Sequence, residues 1–216
     1  NARLTTMKKK ASTLKNMIVS LLGVTILSGG CVGGLYLMTR TQIAQAEKEK
    51  QEQAIKDVLP DFDRLETIRM DIPDGSGTLT GYTAYVQDRA VGTAVQTFSK
   101  AGFAGEIQLM AGFLPDGTLY RVQVLQHAET PGLGSKMTEP QFAGQFENRH
   151  PRTFKLRVKK DGGDVDAITA ATISSRAYCD ALERASNTLA ANNPTAENPD
   201  SNDISDNTLS EGGFHE

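Results

Sequence analysis

Polar and apolar positions follow three successive regimes along the chain. Between Lys15 and Arg40 no residue is charged, and the run MIVSLLGVTILSGGCVGGLYLM from Met17 to Met38 is almost continuously apolar. As a helix, those 22 residues span roughly 33 Å, against about 30 Å for a hydrocarbon core. The pattern predicts a transmembrane helix over 16–39. A cleaved signal peptide fits less well, because the run continues past a normal h-region through Leu35, Tyr36, Leu37 and Met38. A lipoprotein signal fits poorly too, since Ser28, Gly29 and Gly30 precede Cys31 without an upstream aliphatic residue in the required place. Within the span, Gly29/Gly33 and Gly30/Gly34 form small-xxx-small pairs. These let a second helix approach closely, or reflect only the high glycine content of membrane helices.

The second regime, TQIAQAEKEKQEQAIKDVL from Thr41 to Leu59, is rich in helix formers, lacks glycine and stops before Pro60. It predicts an outward continuation of the membrane helix over 40–60. The third regime alternates. TGYTAYVQ, AVGTAVQTF, GEIQLMAGF and TLYRVQVLQ read as half-buried strands, with Ile107, Leu109, Ala111 and Phe113 in one register and Tyr120, Val122 and Val124 in another. Pro115-Asp116-Gly117 marks a hairpin turn between the last two. A short helix or loop is expected around Pro140 to Asn148, then a further strand over Thr153 to Lys160. A closing helix from about Thr172 places Tyr178, Ala181, Leu182, Ala185 and Leu189 on one face. The order of elements predicts an α+β fold, an antiparallel sheet with flanking helices. From Asn187 onward the chain is polar and acidic with two prolines, the composition of a disordered segment.

Charge sharpens this picture. The net charge of −3 combines +5 over residues 1–15 (Arg3, Lys8, Lys9, Lys10, Lys15) with −6 over residues 187–216, leaving −2 between them. Basic residues before the span and only Arg40 close behind it place the N-terminus in the cytoplasm and the rest on the periplasmic or outer side of a bacterial inner membrane. Met7 followed by three lysines reads as a natural start. The net charge of −3 argues against a nucleic-acid partner, and two cysteines exclude a disulfide scaffold or a four-cysteine metal site.

Conventional catalytic signatures are absent. His127, His150 and His215 have no metal-binding spacing, and the sequence contains no nucleophile elbow or Walker loop. Cys179 reads as a small buried residue of the last helix. Two segments stand out instead. In HAETPGLGSKM (His127 to Met137), Pro131 extends Thr130, while Gly132 and Gly134 permit positive φ and close approach of a ligand. Glu129 and Thr130 offer hydrogen-bonding groups and Leu133 an apolar surface for a flat ring. The bland alternative is an ordinary loop. In KKDGGDVDAITAATISSRAY (Lys159 to Tyr178), Thr172 falls where a helix N-terminus exposes N–H groups and favours an anion. Thr172 or Ser174 as a simple helix cap explains the same residues.

Glu129-Thr130-Pro131-Gly132-Leu133-Gly134, followed about 40 positions later by Asp166-Ala167-Ile168-Thr169-Ala170-Ala171-Thr172, resembles the FMN-binding domain of the G subunit of the Rnf electron-transport complex. The C subunit of the sodium-pumping NADH:quinone reductase is its relative. The resemblance implies FMN joined through its phosphate to Thr172, a phosphoester on the final threonine of the motif. It further implies cofactor contacts from Glu129, Thr130, Gly132, Leu133, Gly134, Thr169, Ala170, Ala171 and Ile173, and no catalytic or metal-binding residues. Lys136, Lys159 and Lys160 are candidates for balancing phosphate charge. The family's usual glycine is Ala170 here, which costs on the order of 1 kcal/mol if the position requires positive φ.

The function so implied is that of an electron-transfer subunit of a translocase, which couples ferredoxin:NAD⁺ electron transfer to Na⁺ or H⁺ transport. Its partners would be membrane and iron–sulfur subunits, and a flavin transferase would attach the FMN. The corresponding NADH:quinone reductase subunit and a non-redox, membrane-anchored assembly module are the alternatives. The resulting division is a basic segment over 1–15, the membrane helix over 16–39, the proximal helix over 40–60, an FMN-binding domain over 61–190 and a disordered acidic tail over 191–216.

Overall fold

The computed structural model describes residues 14–192, apart from the side chains of Thr41 and Ala44. The basic segment before Leu14 and the tail after Asn192 therefore lie outside the described residues. The chain divides into two compact units, Asn1–Glu49 and Lys50–Glu216.

A single helix, α1 (Leu14–Val58), covers both expected helical segments without a break and ends two residues before Pro60. Up to Met38 its large side chains are exposed all round, including Leu21, Leu27, Leu35 and Met38. A helix of this length and apolarity can cross a membrane, and none of its most apolar stretch is buried within the protein. Hydrocarbon would solvate surface that water penalises.

The second unit is built on five antiparallel strands in meander order, β1 (Arg64–Asp71), β2 (Thr78–Val86), β3 (Arg89–Ser99), β4 (Ile107–Phe113) and β5 (Leu119–Gln126). The Asp116-Gly117 turn forms as expected: Gly117 has φ +85°, and the Asp116 carboxylate accepts from the Thr118 N–H at 2.9 Å. Four short elements follow β5: 3-10 turns over Gly134–Thr138, Gly144–Phe146 and Lys159–Asp161, and α2 (Pro140–Ala143). The last helix, α3 (Thr172–Asn192), lies against the sheet, with Thr97 Oγ1 donating to the Ala181 carbonyl at 2.8 Å.

The sheet is covered on both faces around β4, which corrects the expectation of half-buried strands. Ile107, Leu109, Ala111 and Phe113 join the core formed with Tyr178, Leu182 and Ala185 of α3. On the opposite face Met110, Ala84, Ala94 and Leu125 meet Ala54, Ile55, Val58 and Leu59. Full burial of each large aliphatic side chain contributes about 1.5–3 kcal/mol. The close contact needs Gly112, where an added Cβ would overlap the Val58 carbonyl. Gln51 Nε2 adds polar ties by donating to Tyr82 Oη at 2.7 Å and Gln96 Oε1 at 2.9 Å.

One element goes unpredicted, and two further expectations need correction. β1 carries no strand signal in its sequence, because RLETIRMD is charged at four of its eight positions and buries only Met70; it is an edge strand with one covered face. Thr153–Lys160 is not a strand. Leu156 and Val158 are buried in alternation, but the segment pairs locally: Lys155 N–H donates to Asp164 Oδ2 at 2.7 Å, and Val158 bridges Val165. Finally, Asn187–Asn192 belongs to α3 rather than to a disordered tail, because Thr188 and Leu189 are buried and Asn192 Nδ2 donates to the Asp71 carbonyl at 3.0 Å.

Candidate functional site

The two unusual segments converge on one cleft of about 310 Å³. Glu129, Thr130, Leu133 and Gly134 line it from the loop after β5; Ala170, Ala171, Thr172 and Ile173 line it from the start of α3. Phe103 and Ser174 complete the wall. Gly132 and Thr169 lie outside this lining. Gly132 shapes the loop, and Thr169 borders an adjoining cleft of about 410 Å³ that also contains Lys136, Gln145 and Asp166.

The ETPGLG loop folds on itself because the Thr130 carbonyl accepts from the N–H groups of Leu133 (3.1 Å) and Ser135 (3.3 Å). Gly132 uses its freedom in the backbone, with φ +77° and its N–H donating to Ser135 Oγ at 2.9 Å. Gly134 has a different role. A Cβ there would lie 2.6 Å from Ser174 Oγ and 2.8 Å from Glu129 Cβ, so only glycine admits the close approach of these elements. Leu133 is left 43% exposed at the mouth of the cleft.

Glu129 is the central tie. Although buried, its carboxylate accepts from Ser174 Oγ at 2.8 Å and from the Ala104 N–H at 3.2 Å, while its own N–H donates to His127 Nδ1 at 3.2 Å. One carboxylate therefore binds together three chain segments. A buried charge is tolerated where such donors replace water.

On the other side, Ala171 N–H donates to the Ile168 carbonyl at 3.0 Å, closing a turn whose third residue, Ala170, has φ +61°. Turns of this kind ordinarily place glycine or asparagine there. The alanine is held by its surroundings: Ser175 Oγ accepts from the Ile168 N–H and donates to the Ala171 carbonyl, both at 3.0 Å. Gln145 anchors Asp166 just upstream, accepting from its N–H at 2.8 Å and donating to its carbonyl at 3.2 Å. Replacing Ala170 by glycine is expected to raise stability by about 0.5–1 kcal/mol by relieving the left-handed strain. Thermal unfolding of the full chain in detergent tests this; an unchanged or lowered midpoint would contradict it.

Thr172 is the first residue of α3, and its neighbour Ile173 is exposed by 46%. The first i to i−4 bond of the helix runs from Ser175 N–H to the Ala171 carbonyl, so the N–H groups of Thr172, Ile173 and Ser174 precede the intrahelical ladder. Together with the helix dipole they make this end a favourable place for a phosphate. Of the basic candidates, Lys159 is paired with Asp166 at 2.7 Å. Arg176 forms a fork with Asp161 at 2.7 and 2.8 Å, and that guanidinium holds the Asp161 carboxyl below its ordinary range. Cys179 of α3 is buried, and that burial pushes its thiol up to about 12. It is protonated at neutral pH and a poor nucleophile.

Sequence reasoning does not identify Phe103 or Ser174 as lining the site. Ser174 reads there only as a helix cap, and Phe103 is a lone aromatic in a loop with no periodic signal.

Residues 102–187 match the family model described as the FMN-binding domain. The chain is 34% identical over 182 residues to the G subunit of the ion-translocating oxidoreductase complex of Methanosarcina acetivorans, covering 82% of this chain and 95% of that protein. It is 32% identical to the corresponding G subunit of Shewanella piezotolerans, covering 82% of this chain and 89% of that protein. The crystal structure of the C subunit of the Na(+)-translocating NADH-quinone reductase from Parabacteroides distasonis superposes with a TM-score of 0.51 at 16% identity. That match covers 74% of this chain and 97% of that chain, and it shows a shared fold.

Proposed function

Because the chain belongs to the family of ion-translocating oxidoreductase complex G subunits, we propose that it is the electron-transfer subunit that carries FMN covalently in such a membrane complex. The observation that carries the reading is the placement of Thr172. It stands at the open N-terminus of a 21-residue helix and lines a cleft shared with the ETPGLG loop. The residues present fit the cofactor in both halves. Thr172 Oγ1 would hold the phosphate as a phosphoester, which keeps one negative charge beside the N–H groups of α3. Leu133 and Ile173 supply exposed apolar surface for the ring system, and Thr130, Ala170 and Ala171 allow close backbone approach. Thr169 turns the chain into the helix from outside the cleft.

When bound, FMN supplies uptake and release of electrons, and the protein supplies attachment, orientation and tuning. No side chain of the site is required as nucleophile or general acid in turnover. The Glu129 carboxylate keeps both its oxygens engaged by Ser174 and Ala104, which fixes the wall.

In the proposed assembly, residues 16–39 anchor the chain as a single membrane span with the N-terminus in the cytoplasm, and residues 61–190 hold FMN on the opposite side. The complex would transfer electrons between ferredoxin and NAD⁺ with Na⁺ or H⁺ transport, through membrane and iron–sulfur subunits. A flavin transferase would install the FMN from FAD. The NADH:quinone reductase reading draws only on a shared fold at 16% identity, whereas the two G-subunit relatives match at 34% and 32% along nearly their full length.

The test is to co-express the chain with a flavin transferase, denature it and wash it. Fluorescence that stays with the protein band, with a mass gain of FMN less water, is expected. A band free of flavin would overturn the reading and leave a non-redox module in its place.

A further inference from the structure

We propose that Phe103 is an aromatic wall of the flavin site, held beside the cleft by the same carboxylate that fixes the start of α3. This rests on the reading of the site given above. Among the described residues after α1, four large hydrophobic side chains are exposed: Leu65, Phe103, Leu133 and Ile173. Three of the four line the cleft that contains Thr172. Scattered exposed apolar residues need no explanation, but convergence around a concave site points to a ligand with apolar surface.

Phe103 is the most exposed of them, at 70%. Its exposure does not come from a loose loop. The connection between β3 and β4 is pinned where Ala101 N–H donates to Ser99 Oγ at 3.2 Å and Ala104 N–H donates to Glu129 Oε1 at 3.2 Å. At Gly102, a Cβ would overlap the Gly105 carbonyl and lie 2.9 Å from Glu129 Oε1; Gly105 has φ +135°. The backbone is thus built on each side of Phe103, and its ring is left in water at the edge of the cleft. Burying that ring recovers hydrophobic free energy that folding alone does not.

The other oxygen of the same carboxylate accepts from Ser174 Oγ, two residues after Thr172. Tether and wall therefore share one buried anchor. A flat conjugated ring attached at Thr172 has Phe103, Leu133 and Ile173 available, and an aromatic partner offers it an offset or edge-on packing geometry.

The native chain contains no tryptophan, so Phe103→Trp introduces a single indole. An indole packed against the flavin donates an electron to the excited ring and recovers it, quenching the emission. With the full chain co-expressed with its transferase, native flavin fluorescence per bound flavin is expected to fall severalfold in Phe103→Trp and to return to the parent's value on denaturation. In Phe103→Ala, iodide is expected to quench the native flavin more steeply than in the parent. Native brightness of Phe103→Trp equal to the parent's, or loss of the label in that variant while the parent is labelled, would overturn the proposal. It would then leave Phe103 as a contact for another subunit. Absence of flavin from the parent itself would instead overturn the proposed function.

Discussion

Thr172→Val is expected to abolish flavin attachment completely while leaving the fold intact. Valine keeps the shape and β-branching of threonine and removes only the hydroxyl that a phosphoester requires. The start of α3 does not depend on that hydroxyl, because Ser175 holds the turn through Ile168 and Ala171, and Ser174 is tied to Glu129. Circular dichroism and the unfolding midpoint should therefore match those of the parent within about 0.5 kcal/mol, the usual range for a change that breaks none of the large-effect mechanisms. Thr172→Ser, which restores a hydroxyl at the same helix position, should recover the label. Persistent labelling of the valine variant would show that another residue carries the flavin.

Gly134→Ala should be the most damaging small substitution in the site. The new methyl group would sit between Ser174 Oγ and Glu129, separating a buried hydroxyl from the buried carboxylate to which it donates at 2.8 Å. Overpacking costs about 1–3 kcal/mol and a lost hydrogen bond to a charged group about 1.5–3 kcal/mol, so a destabilisation of about 3 kcal/mol or more is expected. Gly132→Ala, only two residues away, provides the contrast. Nothing lies within 4 Å of its missing Cβ, and the φ of +77° alone should cost about 1 kcal/mol. Denaturant unfolding of both variants in detergent separates close packing from backbone freedom. Equal losses would contradict the distinction between these two glycines.

Much of this architecture can be read from local chemistry. Pro60 and the long charge-free run bound α1, Pro115-Asp116-Gly117 locates a hairpin, and the hydroxyl cluster before an amphipathic stretch locates the start of α3 within the accuracy of any boundary. The failures share a physical cause, since each depends on partners that periodicity does not report. β1 is stabilised by pairing with β2 despite its charges, as with Thr67 opposite Tyr82, and this does not register in hydrophobic periodicity. Thr153–Lys160 has the composition of a strand but finds its partners at Asp164 and Val165 instead of in the sheet. The double burial of β4 requires the end of α1 to meet the sheet, which Gly112 permits and no alternation could announce.

The candidate site is legible to a similar extent and for a similar reason. The ETPGLG and TAAT segments are contiguous in sequence and carry their own turn chemistry, so Glu129, Leu133 and Thr172 can be singled out from the residues themselves. Strain at Ala170 follows only if that position requires positive φ, and φ is +61°. Phe103 is invisible in the sequence because its relevance arises from a hydrogen bond between Ala104 and Glu129, 25 residues apart. A buried glutamate whose two oxygens reach in two directions is what joins the pieces.

The central claim is tested most directly by locating the modification. Tryptic digestion of the chain co-expressed with flavin transferase releases residues 161–176, which contain Thr169, Thr172, Ser174 and Ser175. That peptide should carry the mass of FMN less water, with fragment ions assigning it to Thr172 alone. An unmodified peptide from this region, or a label assigned to Thr169, Ser174 or Ser175, would contradict the account.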